Sequence, residues 1–294
     1  MPVIKIGDRL IGDGQPTYII AEIGVNHNGL LDLALELIDA SVAAGADAVK
    51  FQKRSLKNLY AKKYLENANS GEKTLRYLLP ILQQVELPDS AYHKILEYCQ
   101  QKGITFLCSA FDPESADFLN DLGVPAFKVA SADLTNLPLL DHLACLSKPL
   151  ILSTGMSRME EVEMTVDFLK ERQAEFALLH CNSTYPAAFE DINLRFMEQL
   201  RRFGVPVGYS GHERGIAVST VASALGASII ERHITRLSSS GVSTPMKTML
   251  NPAWFIRSIS SSSSARLIET SVWNDTPFLS LRHSIKAGSK LSLM

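Results

Sequence analysis

The sequence of 294 residues lacks the features that mark several large classes of protein. It has no basic surplus, and its net charge of -2 argues against a nucleic-acid partner. No apolar run approaches the roughly 20 residues that cross a bilayer. At the N-terminus, apolar residues alternate with charged residues and glycines, which is unlike a signal peptide. We therefore expect a cytoplasmic protein that binds neither membranes nor nucleic acid.

Cysteine is also scarce, and its spacing excludes further classes. The four cysteines, at positions 99, 108, 145 and 181, include no C-x-x-C pair, so a zinc cage or a disulfide framework is not expected. Buried free thiols are the better interpretation. A hydrophobic fraction of 46% with 20% charged residues is typical of a globular protein with a large core. The length is compatible with two ordinary domains or one large barrel.

What the sequence does contain is a repeated rhythm of strand-like and helix-like segments. The strand-like segments are 17–25, 46–53, 104–111, 126–131, 149–155, 176–184, 205–212 and 228–235. Their nearly continuous apolarity suits strands that are buried on both faces, as in a parallel sheet. Eight such strands predict a closed (β/α)₈ barrel, or TIM barrel, over residues 1–235. An open doubly wound sheet is the alternative, and it is disfavoured because no G-x-G-x-x-G turn follows any strand.

Two of the intervening segments carry clear helix boundaries. The segment 31–45 has helical periodicity and ends at Gly45, a residue suited to a helix C-terminus. The segment 112–123 begins with Asp112 as N-cap and Pro113 at the first helical position.

Polar residues stand at the end of almost every predicted strand. They are Glu22, Lys50, Gln52, Ser109, Lys128, Ser131, Ser153, Ser183, Ser210, His212, Glu231 and His233. Singly, each has an ordinary explanation as a helix cap or a surface residue. In a barrel, however, these strand ends converge on one face, where the active sites of this architecture lie. The pattern therefore predicts a functional site at the C-terminal end of the barrel.

Two types of chemistry are indicated at this predicted site. Lys50 and Lys128, with Ser109, Ser131, Ser153 and Ser210, suit a phosphate and a carboxylate together. A Schiff-base lysine or an ordinary salt bridge is the alternative for each lysine. His212 and His233, at the ends of adjacent strands, are candidate ligands of a divalent metal, although either could be a hydrogen-bonded core histidine. His27 and His180 belong to the same face by position but are weaker candidates.

Several motifs resemble, in order, those of the sialic acid synthase family. They are AEIGVNHNG (21–29), GADAVKFQK (45–53), KVAS (128–131), STGM (153–156), CNSTYP (181–186), GYSGHERGIA (208–217) and ALGASIIERHIT (224–235). The resemblance implies condensation of phosphoenolpyruvate with an N-acylated amino sugar such as N-acetylmannosamine, which gives a nonulosonic acid and phosphate. It also implies a Mn²⁺ or Mg²⁺ cofactor. We expect a homodimer.

The resemblance implies a role for each candidate residue. Phosphoenolpyruvate would be held by Lys50, Lys128, Ser131, Ser153, Ser183 and Ser210, with Ser109 near its phosphate and with Gln52 and Phe111 in the same substrate site. The metal would bind His212 and His233 and polarise the sugar aldehyde. Glu22 would handle a proton, and Tyr185 would contact the sugar.

The resemblance ends after Thr235. Members of the family continue with a G-x-D-H turn, whereas residues 236–252 contain neither Asp nor Glu, and the small C-terminal antifreeze-like domain of many members is not recognised. We expect residues 236–294 to be a divergent tail that supplies or replaces the last barrel helix and is loosely packed. A shifted reading frame is our favoured explanation, because another frame through 246–252 permits a family-like Val-Glu-Pro; simple divergence is the alternative.

Three functions are compatible with this pattern. The first is an active synthase, and the second is an inactive relative that serves as a binding or scaffold protein. The third is another phosphoenolpyruvate-dependent synthase, acting on arabinose 5-phosphate or erythrose 4-phosphate, which the ordered motifs make less favoured. Because the Asp of the G-x-D-H turn is missing, we expect weak metal binding and little turnover despite a complete phosphoenolpyruvate pocket.

Overall fold

The computed structural model describes residues 2–67 and 73–235. The strands are β1 (Val3–Ile6), β2 (Arg9–Gly12), β3 (Tyr18–Gly24), β4 (Ala48–Lys53), β5 (Thr105–Ala110), β6 (Phe127–Val129), β7 (Leu150–Ser153), β8 (Phe176–Cys181), β9 (Val207–Gly211) and β10 (Ile229–His233). The helices are α1 (Leu31–Ala43), α2 (Leu56–Leu59), α3 (Lys62–Glu66), α4 (Lys73–Val85), α5 (Asp89–Lys102), α6 (Pro113–Leu122), α7 (Leu137–Cys145), α8 (Met159–Glu171), α9 (Phe196–Arg201) and α10 (Ala217–Ala224). The predicted tail, 236–294, and the reading-frame hypothesis lie outside the described residues.

Strands β3 to β10 form one closed barrel in chain order, and every neighbouring pair is parallel. The barrel closes where β10 pairs with β3, from Ile229 opposite Tyr18 to His233 opposite Glu22. Each of the eight predicted segments contains one of these strands. The predicted (β/α)₈ barrel is therefore confirmed.

The strands are apolar along their length because both faces are buried. On β5, Leu107 joins a cluster inside the barrel with Ile20 and Ile151. Its neighbours Phe106 and Cys108 belong to the larger cluster that packs against the helices. Successive side chains of a strand point to opposite faces, so neither face of the barrel strands is polar except near the strand ends.

A hairpin that the sequence pattern did not reveal contacts the N-terminal end of the barrel. Strands β1 and β2 pair antiparallel, and Gly7 adopts a left-handed backbone in the turn between them. Ile4, Ile6 and Ile11 are buried in the interior cluster with Tyr18, the first residue of β3. The hairpin thus covers the end of the barrel opposite to the predicted site.

The two predicted helix boundaries are present. Helix α1 ends at Ala43, and Gly45 follows with φ +77°. Helix α6 begins after Asp112, whose Oδ1 accepts a hydrogen bond from the Ser115 backbone N–H at 2.9 Å. No helix among residues 2–67 and 73–235 is long and apolar enough to cross a membrane.

The cysteines largely follow the sequence-based expectation. Three of the four are buried free thiols: Cys99, Cys108 and Cys181. The expectation is wrong for Cys145, which is exposed because it ends helix α7 at the protein surface.

Candidate active site

A buried cluster of charged side chains lies at the C-terminal ends of β3, β4 and β5. Lys50 lies opposite Glu22 in the strand register, and its Nζ is 2.7 Å from Glu22 Oε2. The same Nζ donates a hydrogen bond to Ser109 Oγ at 3.0 Å. Both charged side chains are less than 5% exposed, at 4% for Lys50 and 3% for Glu22. Such burial requires that each charge be paired, and the two satisfy each other.

A second lysine lies two strands further along the barrel, on β6. Lys128 Nζ donates to Ser153 Oγ at 2.6 Å and to the Val129 carbonyl at 2.9 Å. Glu231 lies between the two lysines, with Oε1 4.0 Å from Lys128 Nζ and Oε2 3.7 Å from Lys50 Nζ. Ser210 Oγ donates to Glu231 Oε1 at 2.9 Å. Strands β4, β6, β7, β9 and β10 thus contribute to one polar network.

The two carboxylates of this network titrate in opposite directions. Burial raises the pKa of Glu22, against the lowering effect of Lys50, and the charge of Glu231 raises it further. Burial also acts to raise the pKa of Glu231, but Lys128, Lys50 and the Ser210 hydroxyl outweigh it, and the pKa is lowered. Glu22 is consequently the group suited to carry a proton, and Glu231 stays ionised.

The lysines are also distinguished by their surroundings. Burial alone would lower the pKa of Lys50, but Glu22 and Glu231 outweigh it and raise the pKa. For Lys128, burial dominates and the pKa is lowered. Lys50 is therefore a fixed positive charge, while Lys128 is the more weakly compensated cation and the better partner for an incoming anion.

Two further hydroxyls meet beside the end of β7. A Cβ atom on Gly155 would overlap Ser183 Oγ and would lie 2.8 Å from Ser131 Oγ, so both hydroxyls point at the bare Cα of Gly155. Ser183 Oγ is buried and has no hydrogen-bond partner. Cys181 is buried beside them and interacts with Ser131 and Ser210. The Ser183 hydroxyl is therefore available to hydrogen-bond a ligand at this point of the site.

The predicted histidine pair lies at the same end of the barrel. The rings of His212 and His233 are 5.5 Å apart, and the Tyr185 hydroxyl stands between them. Tyr185 Oη is 2.6 Å from His212 Nε2 and 3.3 Å from His233 Nε2. The Tyr185 ring also stacks on His212, with centroids 3.9 Å apart. Both Nε2 atoms therefore face a single point.

The histidines are in the protonation state that a metal requires. Burial lowers the pKa of His212 to about 4, although the hydrogen bond to Asn182 opposes this. Burial lowers the pKa of His233 as well, and His212 and Lys50 lower it further. His212 Nδ1 donates to the Asn182 carbonyl at 2.6 Å, so the lone pair of the neutral ring is on Nε2, where it faces the Tyr185 hydroxyl.

Two convergent neutral imidazoles fit part of the coordination shell of a divalent cation, with the Tyr185 hydroxyl at the position an ion would take. Within the described part of the chain, no group of three or more His, Cys, Asp or Glu side chains could hold a metal. With these two imidazoles alone, water or substrate would complete such a shell.

The remaining predicted residues lie at the edge of the network. Gln52 Nε2 donates to Glu22 Oε1 at 2.9 Å, and the Gln52 side-chain carbonyl accepts from Arg54. Phe111 packs against the guanidinium of Arg54, 4.6 Å from the ring centroid. Gln52 therefore orients the Glu22 carboxylate, while Phe111 contacts the network through Arg54.

The two weaker histidine candidates, His27 and His180, are buried against aromatic rings. His180 packs on Phe196 of α9 and on Tyr209, with ring centroids 5.3 and 5.8 Å away. It points out of the barrel because it is in phase with Phe176 and Leu178, which pack toward the helices. His27 accepts a hydrogen bond from the Gly29 backbone N–H and stacks on Phe51. Neither joins the polar network.

Three site features carry no role in the sequence-based prediction. Glu231 is visible as a polar strand end, but only its position between two lysines reveals its importance. Cys181 is expected to be a plain buried thiol, yet it lies among the serines. The buried pair of Glu213 and Arg232 has no sequence signal, because an ion pair across two strands depends on register.

An eight-stranded parallel barrel with buried lysines, carboxylates and hydroxyls at its C-terminal end has the architecture, and the position of the polar cluster, that define the class of (β/α)₈-barrel enzymes. The model of the NeuB family matches residues 37–263, which is more than half of the chain. The chain therefore belongs to the NeuB family.

Known proteins similar to this chain agree with that assignment. The N,N'-diacetyllegionaminic acid synthase of Legionella pneumophila is 42% identical over 235 residues, covering 76% of this chain and 65% of that protein. The N-acetylneuraminate-9-phosphate synthase of Homo sapiens is 38% identical over 230 residues, covering 77% and 64%. The chain thus spans about two thirds of the length of these curated relatives.

A solved structure shows the same likeness in three dimensions. The N-acetylneuraminic acid synthetase of Leptospira borgpetersenii, crystallised with citrate, superposes with a TM-score of 0.71 at 35% identity. The match covers 79% of this chain and 78% of that chain. The resemblance of the sequence motifs to sialic acid synthases is thereby confirmed.

Proposed function

We propose that this protein condenses phosphoenolpyruvate with an N-acylated amino sugar, giving a nonulosonic acid and inorganic phosphate. The observation that carries the proposal is the pair of buried lysines from β4 and β6, each donating to a serine hydroxyl and separated by the carboxylate of Glu231. Family membership and the names of the relatives support the reaction class. The buried cations supply affinity for a substrate that carries both a phosphate and a carboxylate.

Serine hydroxyls and lysines together would bind the substrate. In the proposal, Lys128, Ser153 and Ser210 hold one anionic group of phosphoenolpyruvate, and Lys50 with Ser109 holds the other. Ser131 and Ser183 add donors beside Gly155, where the partnerless Ser183 hydroxyl is available to a ligand. Since these side chains are already fixed by neighbouring strands, little reorganisation is needed when the substrate binds.

In the proposed reaction, Glu22 acts as the acid. Carbon 3 of phosphoenolpyruvate attacks the open-chain sugar aldehyde and forms the new C–C bond. Glu22 would give its proton to the aldehyde oxygen, and its position opposite His233 in the strand register supports this role. Water adds at carbon 2 and gives one proton to Glu22, which restores the acid. The C–O bond to phosphate then breaks, and the proton of the new hydroxyl leaves with the phosphate. One water is consumed and one phosphate released for each product.

The sugar side of the site would include the histidines. His212 and His233 would hold Mn²⁺ or Mg²⁺, which when bound would polarise the aldehyde carbonyl. Tyr185 is 40% exposed at the rim and would contact the sugar. We include in the same proposal a cytoplasmic homodimer, as expected from the sequence and the resemblance.

Phosphate release provides the direct test of this proposal. The purified chain is mixed with phosphoenolpyruvate and Mn²⁺, and with N-acetylmannosamine, its 6-phosphate or a trideoxy diacetamido hexose as acceptor. We expect acceptor-dependent phosphate release with one of the three, at the low turnover predicted from the sequence, and its loss in Glu22→Gln. The matched control is Glu160→Gln, on the first turn of α8 and outside the polar network.

Other outcomes distinguish the alternatives. Phosphoenolpyruvate that protects the protein against thermal unfolding without any phosphate release would support the inactive, binding-only relative. Release that requires arabinose 5-phosphate or erythrose 4-phosphate would support the other synthase class. Release that is independent of any acceptor would contradict the condensation. Light scattering measures the oligomeric state separately.

A further inference from the structure

A buried ion pair lies behind the histidine pair and takes no part in the polar network of the lysines. Arg232 and Glu213 are 3% and 2% exposed. Arg232 Nη1 donates to Glu213 Oε1, and Tyr209 Oη donates to Glu213 Oε2 at 2.6 Å. Every charge of the pair is thus matched inside the protein.

The same guanidinium also holds the backbone of the loop that follows β9. Arg232 Nη2 donates to the carbonyl of Glu213 at 2.6 Å and to the carbonyl of Gly215 at 3.1 Å. The planar fork of a guanidinium can make several such hydrogen bonds at once. One side chain of β10 therefore fixes the course of residues 213–215.

The position of the pair relates it to the histidines. Glu213 directly follows His212, and Arg232 directly precedes His233. Gly211, opposite Arg232 in the strand register, has no side chain, and a Cβ there would overlap Arg232 Nη1 and lie 2.7 Å from Glu213 Oε2. The close approach of the two strand ends is thus built around this ion pair.

Stability alone is a poor explanation for the pair. Replacing a buried ion pair with apolar residues is often neutral or stabilising, because both charges lose their hydration. Geometry is the better explanation, since groups behind a metal ligand determine its orientation. Here the ion pair joins the loop carrying one imidazole to the strand carrying the other.

We propose that Arg232, acting through Glu213 and Tyr209, is a positioning residue that sets the separation and orientation of His212 and His233 for a divalent cation. The inference rests on the proposed function, in that it takes the histidines as the metal ligands. It assigns to Arg232 no contact with substrate or with the reacting atoms.

The test measures Mn²⁺ and phosphoenolpyruvate binding separately, by calorimetry and without turnover. Arg232→Lys keeps the charge but loses the fork, and we expect Mn²⁺ binding to weaken about 10- to 100-fold. Phosphoenolpyruvate affinity should stay within about twofold, because Lys50, Lys128 and Ser153 lie on other strands. A general loss of structure would instead weaken the binding of both ligands.

A double variant guards against misfolding of the single one. Glu213→Leu combined with Arg232→Met removes both buried charges, and we expect it to fold and to show the same selective loss of Mn²⁺ affinity. Arg201→Met is the matched control, since Arg201 also bonds a carboxylate, that of Glu198, and a loop carbonyl, that of Leu225, but at the opposite end of the barrel. It should bind both ligands as the wild type does.

Unchanged Mn²⁺ affinity in the folded double variant would overturn the proposal. An equal loss of affinity for Mn²⁺ and for phosphoenolpyruvate, in a variant of normal thermal stability, would also overturn the proposal. Wild-type protein that binds no Mn²⁺ would remove the metal site and this inference with it. Phosphate release by the wild type decides the proposed function independently of these outcomes.

Discussion

At the scale of single residues, the site shows how environment separates chemically identical groups. Glu22 and Glu231 are both buried and both contact Lys50, yet the pKa of the first is raised and that of the second is lowered. The difference arises because Glu231 is also close to Lys128 and accepts from Ser210. Two carboxylates can therefore take two roles in one cavity.

Lys128 should dominate the affinity for phosphoenolpyruvate. Replacing it in Lys128→Met removes a charge-assisted hydrogen bond to the substrate, worth about 1.5–3 kcal/mol, so we expect 10- to 100-fold weaker binding by calorimetry. Lys148→Met is the control. Lys148 lies just before β7, at the other end of the barrel, and donates a hydrogen bond to the Asn120 carbonyl. Equal affinities of Lys128→Met and the wild type for phosphoenolpyruvate would show that Lys128 does not bind this substrate.

Tyr185 should oppose metal binding in the absence of substrate. Its hydroxyl stands between the two Nε2 atoms and must leave before an ion can enter. Tyr185→Phe loses that hydrogen bond, worth about 1 kcal/mol, so we expect roughly fivefold tighter Mn²⁺ binding in a titration without sugar. Weaker binding in the variant would show instead that the phenol oxygen is a ligand.

At the scale of elements, each barrel strand distributes its side chains between two environments by simple alternation. On β8, Cys181 faces the site, whereas His180 is buried against α9 and neither of its ring nitrogens has a hydrogen-bond partner. Position at a strand end thus does not ensure membership in the site. The parity of the residue along the strand decides it.

His180 should make the protein sensitive to acid. Burial lowers its pKa from 6.5 to about 4. Between pH 6.5 and about 4, His180 is therefore protonated in the unfolded chain but neutral in the folded protein. Stability is therefore lost as pH falls from about 6.5 to about 4, by roughly 3 kcal/mol at most. His180→Phe should make this part of the pH dependence less steep in urea denaturation, while the other buried histidines still contribute to it. Exposed His93→Gln is the control, and parallel curves for His180→Phe and wild type would contradict the prediction.

At the scale of the whole molecule, stability and function are concentrated at opposite ends of the barrel. The hairpin of β1 and β2 seals one end with buried isoleucines, and the polar network occupies the other. This separation is typical of the architecture, in which the C-terminal face carries the chemistry and the N-terminal face the stability.

Truncating the seal should therefore affect stability alone. Ile6 is fully buried, and we expect Ile6→Ala to lower the free energy of unfolding by about 2–5 kcal/mol. Phosphoenolpyruvate affinity should be unchanged when measured well below the melting temperature. Leu10→Ala on the same hairpin is the control, because Leu10 is 51% exposed and should cost less than about 0.5 kcal/mol. A large loss of affinity in Ile6→Ala would show that the two ends are coupled.

The sequence by itself determined the barrel and the face of its site. Doubly buried strands must be apolar along their length, so eight such segments are recognisable one by one, and their polar ends identify the face. Local rules also placed Asp112 at the start of α6 and Gly45 after α1. Membership in the NeuB family follows from motifs that are contiguous in the chain.

Only the tertiary structure decided which side chains meet. The placement of Glu231 between two lysines, the pairing of Arg232 with Glu213 and the outward turn of His180 depend on strand register and barrel closure. The hairpin was missed because its short strands are buried only by contact with the barrel end. These contacts join residues far apart in the chain, and no local pattern records the distance between them.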